Sequence, residues 1–187
     1  MKDGKIAVNS DFETSEPGVY AIGDVAARTQ LAHVAAAQGT YVVEKIAGRP
    51  HSIKLEVVPN GMFVSLPIVP NCIYTDPEIA TVGITEEIAK TCGLKVRCGH
   101  FSMRDNGKSI ITGEEHGFIR LLFEAYSNTI VGAQMMCPRA TDMIGEIATA
   151  IANGLTAQEM SFAMRAQPTY NEGIGAAIED AMRHDPV

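Results

Sequence analysis

Apolar and polar positions along this chain change their spacing from segment to segment, and each spacing predicts an element. Gly4 to Val8 alternates as a short strand. Pro17-Gly18 is a turn signal, because proline presets φ and glycine accepts φ > 0, and Val19 to Ile22 then reads as a short buried strand closed by Gly23-Asp24. From 31 to 47 the apolar residues Leu31, Val34, Ala35, Ala37, Val42, Val43 and Ile46 recur at helical spacing until Gly48-Arg49-Pro50 stops them. Thr85 is placed to cap a helix over 86–91, with Glu86 and Glu87 at its positive end and Gly93 after it. Lys95 to Met103 alternates as a strand, and 117–123 with 129–136 reads as a hairpin turning at Tyr126-Ser127-Asn128. Over 141–153, Met143, Ile144, Ile147, Ala148, Ile151 and Ala152 share one helical face, Gly154 ends the run, and Thr156-Ala157-Gln158-Glu159 is a capping box for the next helix. A last helix runs through Ile174, Ile178 and Met182, with Asn171 as its cap.

Together these elements predict an α+β fold: an antiparallel sheet with helices packed on one side, preceded by a separate terminal strand and helix. Three divisions follow: 1–48, a linker over 49–70 containing Pro50, Pro59, Pro67, Pro70 and the turn signal Asn60-Gly61, and 71–187. Val57-Val58-Pro59-Asn60 is nearly repeated by Ile68-Val69-Pro70-Asn71, so Gly61 to Asn71 reads as an insertion. Its apolar content fits a covering loop better than a solvated tether.

Composition narrows the function classes. At 187 residues and 46% hydrophobic content the chain can bury a core, and its net charge of −7 argues against nucleic acid as a partner. No apolar run approaches the roughly 20 residues of a membrane helix, and Met1 to Lys5 does not open a signal peptide, so a cytoplasmic protein is expected. Cys72, Cys92, Cys98 and Cys137 show neither C-x-x-C pairing nor zinc spacing; they read as structural thiols, and no metal site is expected.

The string Thr14 to Asp24 is similar to the second flavin-contacting motif of the FAD-dependent pyridine nucleotide-disulfide oxidoreductases, roughly T-x-x-P-x-[IV]-[YF]-A-x-G-D, and matches every fixed position. The resemblance implies that Gly23 and Asp24 bind the cofactor, the aspartate through a ribityl hydroxyl of FAD. Leu31-Ala32-His33 resembles the family's next segment, whose backbone runs beside the flavin at a helix start, where free N–H groups favour an electron-rich edge. In that family this stretch ends the FAD domain, so residues 1–48 are expected to be its carboxyl-terminal piece, and the chain a fragment of a longer protein.

The second half resembles the same family's interface domain. Ile73 to Gly83 is similar to its first strand in the dihydrolipoyl dehydrogenase branch, and Pro138-Arg139-Ala140-Thr141-Asp142-Met143-Ile144 to its P-x-A-x-E-[LM]-I segment, with Asp142 where glutamate is usual. Arg165-Ala166-Gln167-Pro168-Thr169-Tyr170-Asn171-Glu172 resembles H-x-H-P-T-x-x-E, in which the second histidine moves the proton of thiol exchange and the glutamate orients it. Gln167 and Glu172 therefore stand at the catalytic positions, but glutamine cannot titrate as histidine does near pH 6.5. The same residues also suit a plain proline-containing turn ahead of a helix, and the Gln167 carbonyl still suits contact with a partner subunit's flavin.

The resemblance implies the carboxyl-terminal part of a dihydrolipoyl dehydrogenase-like enzyme using FAD and NAD(P)H, supplying a homodimer interface and serving a 2-oxo acid dehydrogenase complex. No G-x-G-x-x-G fingerprint and no C-x-x-x-x-C redox pair occurs here, so the piece alone is expected to be inactive. Two alternatives stand beside this reading. One is a flavin-dependent NAD(P)H reductase of a non-disulfide acceptor, which loss of the histidine favours; the other is a non-catalytic dimerisation module.

Overall fold

The computed structural model describes residues 4–26, 29–53, 56–57 and 66–184. It divides into two compact units, Met1–Leu55 and Glu56–Val187.

The first unit is a turn packed on a helix. Val19 N–H donates to the Glu16 carbonyl across Pro17-Gly18, Gly18 has φ +77°, and its N–H also reaches the Glu13 carboxylate at 2.9 Å. The expected strand over Val19 to Ile22 is reduced to a single antiparallel bridge between Glu13 and Tyr20, and Gly4 to Val8 likewise forms no extended ladder among the described residues. Ile6 is tied instead to the carbonyl of Val25. Helix α1, Ala32–Ile46, matches the expected span, with Leu31 at its N-cap and no side-chain cap. Its buried stripe is Val34, Gln38 and Val42, whereas Val43 and Ile46, expected on the apolar face, are 65% and 62% exposed. Asp11 anchors the far end, accepting from Lys45 at 2.8 Å and from Tyr41 at 3.1 Å, and Tyr41 stacks on His51. The Lys45 bond first, and the Tyr41 bond next, hold the Asp11 carboxyl below its ordinary range.

The second unit is built on an antiparallel sheet. Strands β1 (Glu56–Val57) and β2 (Leu66–Pro67) form a minimal pair. Of the expected insertion, residues 61–65 lie outside the described residues, as do 58–60 of the near-repeat. The main sheet has the order β3-β4-β7-β6-β5, with β3 Asn71–Ile73, β4 Ile79–Gly83, β5 Val96–Ser102, β6 Phe118–Glu124 and β7 Ile130–Met136. The stretch 73–83 is thus two strands joined through Asp76-Pro77, because Ile73 pairs back on Ile79.

Register explains the core. Ala80 and Val82 face Met135 and Ala133, which face Ile119 and Leu121, which face Phe101 and Gly99; alternate residues place all of these on one sheet surface. Helices α4 (Ala140–Ala152) and α6 (Glu172–Arg183) cover that surface, α4 over β4 and β7 and α6 over β5 and β6. Ile147, Ile151, Ile174 and Ile178 are fully buried there. Gly99 is required by the fit: a Cβ at this position would run into the Ala177 carbonyl and Ala181. Helix α2 (Glu86–Thr91) is capped by Thr85 as expected, and the Thr156–Glu159 capping box opens helix α5 (Ala157–Ser161). The hairpin turns at the expected residues, where the Glu124 carboxylate accepts the N–H groups of Tyr126 and Ser127 and Asn128 takes φ +57°.

Candidate functional site

In the first unit, Gly23–Val25 is one 3-10 turn held against α1. Gly23 has φ +65°, is buried, and its N–H donates to Gln38 Oε1 at 2.8 Å. A Cβ on Gly23 would lie 3.1 Å from the Ala35 Cβ, so both the backbone angle and the spacing favour glycine. Gly23 is thus fixed against Ala35 and Gln38 of α1, and the next residue, Asp24, is exposed. Ala32 and His33 are exposed on the first turn of that helix, which lacks a side-chain cap. This unit therefore carries one exposed carboxylate at Asp24 and one positively polarised helix end at the start of α1. Gln38 escaped the sequence reading, although a polar residue inside an apolar stripe is itself the signal of a buried partner.

In the second unit, Gln167 and Glu172 lie on one segment and line the same cavity of about 620 Å³, with Phe101, Asp105, Arg165 and Glu179 among its walls. Gln167 is exposed and its peptide bond to Pro168 is cis. The Glu172 carboxylate accepts the Thr169 N–H at 2.9 Å, so it organises the turn backbone in this structure; no hydrogen bond joins it to the Gln167 side chain. Asn171 is the N-cap residue of α6 by position but makes no capping bond, because its amide reaches Glu146 of α4 at 3.3 Å.

Several supports of this segment were invisible in the sequence. Arg165, standing at the first histidine position, is directed into the fold, and its guanidinium pairs with Glu146 at 2.6 Å. Buried Asn106 caps helix α3 (Gly107–Thr112) through the Ser109 N–H and donates to the Thr169 carbonyl at 3.0 Å. Tyr170 bonds Glu114 and Thr112, and burial first, then Glu114, pushes its phenol above the ordinary value. Of these, only Asn106 had a local signal, its spacing to Ser109.

The four cysteines are unpaired. Burial pushes the Cys137 thiol up to about 12; burial, with Glu86 next, pushes Cys98 up to about 11. Neither is poised as a thiolate at neutral pH.

Residues 69–178, more than half of the chain, match the pyridine nucleotide-disulphide oxidoreductase dimerisation domain, and residues 1–39 match the pyridine nucleotide-disulphide oxidoreductase domain that precedes it. The chain belongs to the pyridine nucleotide-disulphide oxidoreductase family. Similar family members include the dihydrolipoyl dehydrogenase of Bacillus subtilis, 38% identical over 94% of this chain and 35% of that protein. That of Halobacterium salinarum is 33% identical over 97% of this chain and 36% of that protein. The chain spans about a third of the length of these curated relatives. Among solved structures, LpdA of Mycobacterium tuberculosis superposes with a TM-score of 0.82 at 26% identity, over 96% of this chain and 36% of that one. The flavoprotein disulfide reductase RclA of Escherichia coli gives 0.83 at 17% identity, over 96% and 39%, which shows the shared fold. The expected α+β architecture and the expected family are thus both found. Among the described residues no helix is long and apolar enough to cross a membrane.

Proposed function

We propose that this chain supplies the dimer interface and one side of the flavin site of an FAD-dependent NAD(P)H oxidoreductase of the dihydrolipoyl dehydrogenase kind. The observation that carries the reading is the buried, positive-φ Gly23 turn packed on α1, with Asp24 exposed next to it, in a chain of this family. Those residues fit a flavin: Asp24 would accept from a ribityl hydroxyl, and the first turn of α1 around Leu31, Ala32 and His33 would face the electron-rich ring edge. When bound, FAD supplies the hydride acceptor between NAD(P)H and the second substrate.

The chain's own residues set the rest. Gln167, on its anchored turn, presents a carboxamide that donates and accepts hydrogen bonds but does not carry a proton between states. Glu172 holds the turn through Thr169 N–H. We place the protein as a homodimer, since the second unit matches a dimerisation domain, and in the cytoplasm, where four free thiols suit a reducing environment. Service to a 2-oxo acid dehydrogenase complex is the corresponding partner proposal. A second reading, reduction of a non-disulfide acceptor, draws on Gln167 alone, because dithiol exchange calls for a titrating group where glutamine stands.

A chimera tests the two readings. In it, this chain replaces the matched third of the Bacillus subtilis dihydrolipoyl dehydrogenase, whose remaining two thirds are retained. Gln167→His should raise lipoamide turnover by about 10² to 10⁴, the usual worth of general acid-base catalysis, and give it a pH dependence near the histidine pKa. Reduction of an artificial quinone should hardly change. Unchanged lipoamide turnover in flavin-loaded Gln167→His chimera would contradict the proton-transfer role of this position.

A further inference from the structure

The segment from Phe162 to Asn171 has no regular structure, yet it is tied at both ends to one carboxylate. Glu146, on α4, receives Arg165 Nη2 through Oε1 at 2.6 Å and Asn171 Nδ2 through Oε2 at 3.3 Å. The two donors bracket Gln167 on either side in sequence. Arg165 Nη1 turns back to the Ala163 carbonyl at 3.2 Å, closing the near side of the loop on itself. The Arg165 side chain is only 11% exposed and that of Glu146 34%, so most of the pair is shielded from water. The guanidinium also lies close to α6, since a Cβ at Gly175 would be in contact with Arg165 Nη1 at 3.4 Å.

An arginine beside a cavity is a candidate for binding an anionic ligand, but both terminal nitrogens of this one already donate within the protein, Nη2 to Glu146 and Nη1 to the Ala163 carbonyl. Its Nε is buried and makes no hydrogen bond with the described residues. The planar fork also suits the site, because two divergent N–H groups must reach a carboxylate and a carbonyl at once, which a lysine ammonium matches less well.

We propose that Arg165 and Glu146 form a clasp that fixes the conformation of the Gln167 segment, making Arg165 a positioning residue. The functional meaning of that positioning rests on the reading that Gln167 is presented to the reaction site, whereas the clasp itself is measurable without flavin or turnover. Loss of Glu146 leaves the Arg165 charge largely shielded and unpaired, so the effect on the segment should exceed that of an ordinary surface ion pair.

The test is amide hydrogen exchange and amide resonance mapping on this 187-residue chain. In Glu146→Gln and in Arg165→Met, exchange at Thr169 should rise about ten-fold or more, the partial exposure of Glu146 keeping it below the value for a fully buried pair. The Gln167 backbone amide resonance should shift or broaden, while Ile147 and Ile178 keep their protection. Arg165→Lys should fall between, and the exchanged pair Arg165→Glu with Glu146→Arg should recover much of the protection. If Arg165→Met does not fold, Glu146→Gln, which keeps size and shape, carries the comparison. Unchanged Thr169 exchange and Gln167 resonance in Glu146→Gln would overturn the clasp. Equal loosening at Ile147 and Ile178 would also overturn it, by showing a general structural role. A clasp that holds while the chimera lacks lipoamide turnover would count against the proposed activity and leave the positioning role standing.

Discussion

The two units differ in how completely their apolar surface is spent. The second closes a continuous core from β4, β5, β6, β7, α4 and α6, in which Ile119, Leu121, Ile147, Ile174 and Ile178 are fully buried. In the first, the buried apolar residues among those described are Ala21, Val34 and Val42, while Val19, Val25, Val43 and Ile46 stay exposed. A helix of 15 residues with so little cover is marginal by itself, and the polar ties Gln38 to Gly23 and Asp11 to Lys45 add to its few apolar contacts. Burial thus dominates the second unit, and polar contacts stand beside a small apolar core in the first. The same chain holds one unit with a closed core and one whose apolar residues are mostly open to solvent.

The strongest way to break this contrast is to spoil the fit of α6 on the sheet. Gly99→Val pushes side-chain atoms into the Ala177 carbonyl, and a clash with backbone should cost about 3 kcal/mol or more, the upper end for overpacking. The cooperative thermal transition of the second unit should fall or vanish; an unchanged transition would mean that α6 is not seated as described. A smaller effect is expected from Gln38→Leu, which leaves the Gly23 N–H buried without an acceptor at a cost of about 1–3 kcal/mol. Exchange should speed up at Gly23 and Val34 and not in β6 or β7, so a change shared by both units would contradict their separate bases of stability.

Acid sharpens the comparison most gently. Because the folded-state pKa of Asp11 is depressed, chiefly by Lys45, its stabilisation is present above the unfolded value of about 3.9 and lost as pH falls through the lower folded value. Protection of α1 should hold from neutral pH to about pH 5 and decline below about pH 4, and Asp11→Asn should remove that step. Persistence of the step in Asp11→Asn would assign it to another carboxylate.

Much of the second unit could be read from local signals, because its elements announce their own ends. Thr85, the Thr156–Glu159 box and the Glu124–Thr129 turn act within a few residues of themselves, and the structure keeps all of them. Helix α3 was missed because Gly107-Lys108-Ser109-Ile110-Ile111-Thr112 combines poor helix formers with exposed Ile110 and Ile111, so neither propensity nor apolar stripe marks it. The strand expected at Val19 to Ile22 was inferred from β-formers, but a strand exists only with a partner, and Glu13 supplies a single bridge. At the candidate sites, resemblance to the family's motifs picks out Asp24 and Gln167, whereas Gln38, Asn106 and Glu146 act across the fold. Glu146 meets Arg165 from 19 positions away, a distance at which no local pattern can pair them.

The central claim is that Asp24, exposed next to the Gly23 turn, belongs to a flavin site that this chain completes. Its most direct test is flavin absorbance per purified chain in the chimera with the Bacillus subtilis enzyme, beside the same chimera carrying Asp24→Ala and beside the 187-residue chain alone. About one FAD per chimera is expected, with markedly weaker retention in Asp24→Ala and no stoichiometric flavin in the 187-residue chain alone, whose sequence holds no G-x-G-x-x-G pyrophosphate loop. Full and equally tight flavin retention in the Asp24→Ala chimera, or one equivalent bound by the chain alone, would contradict it.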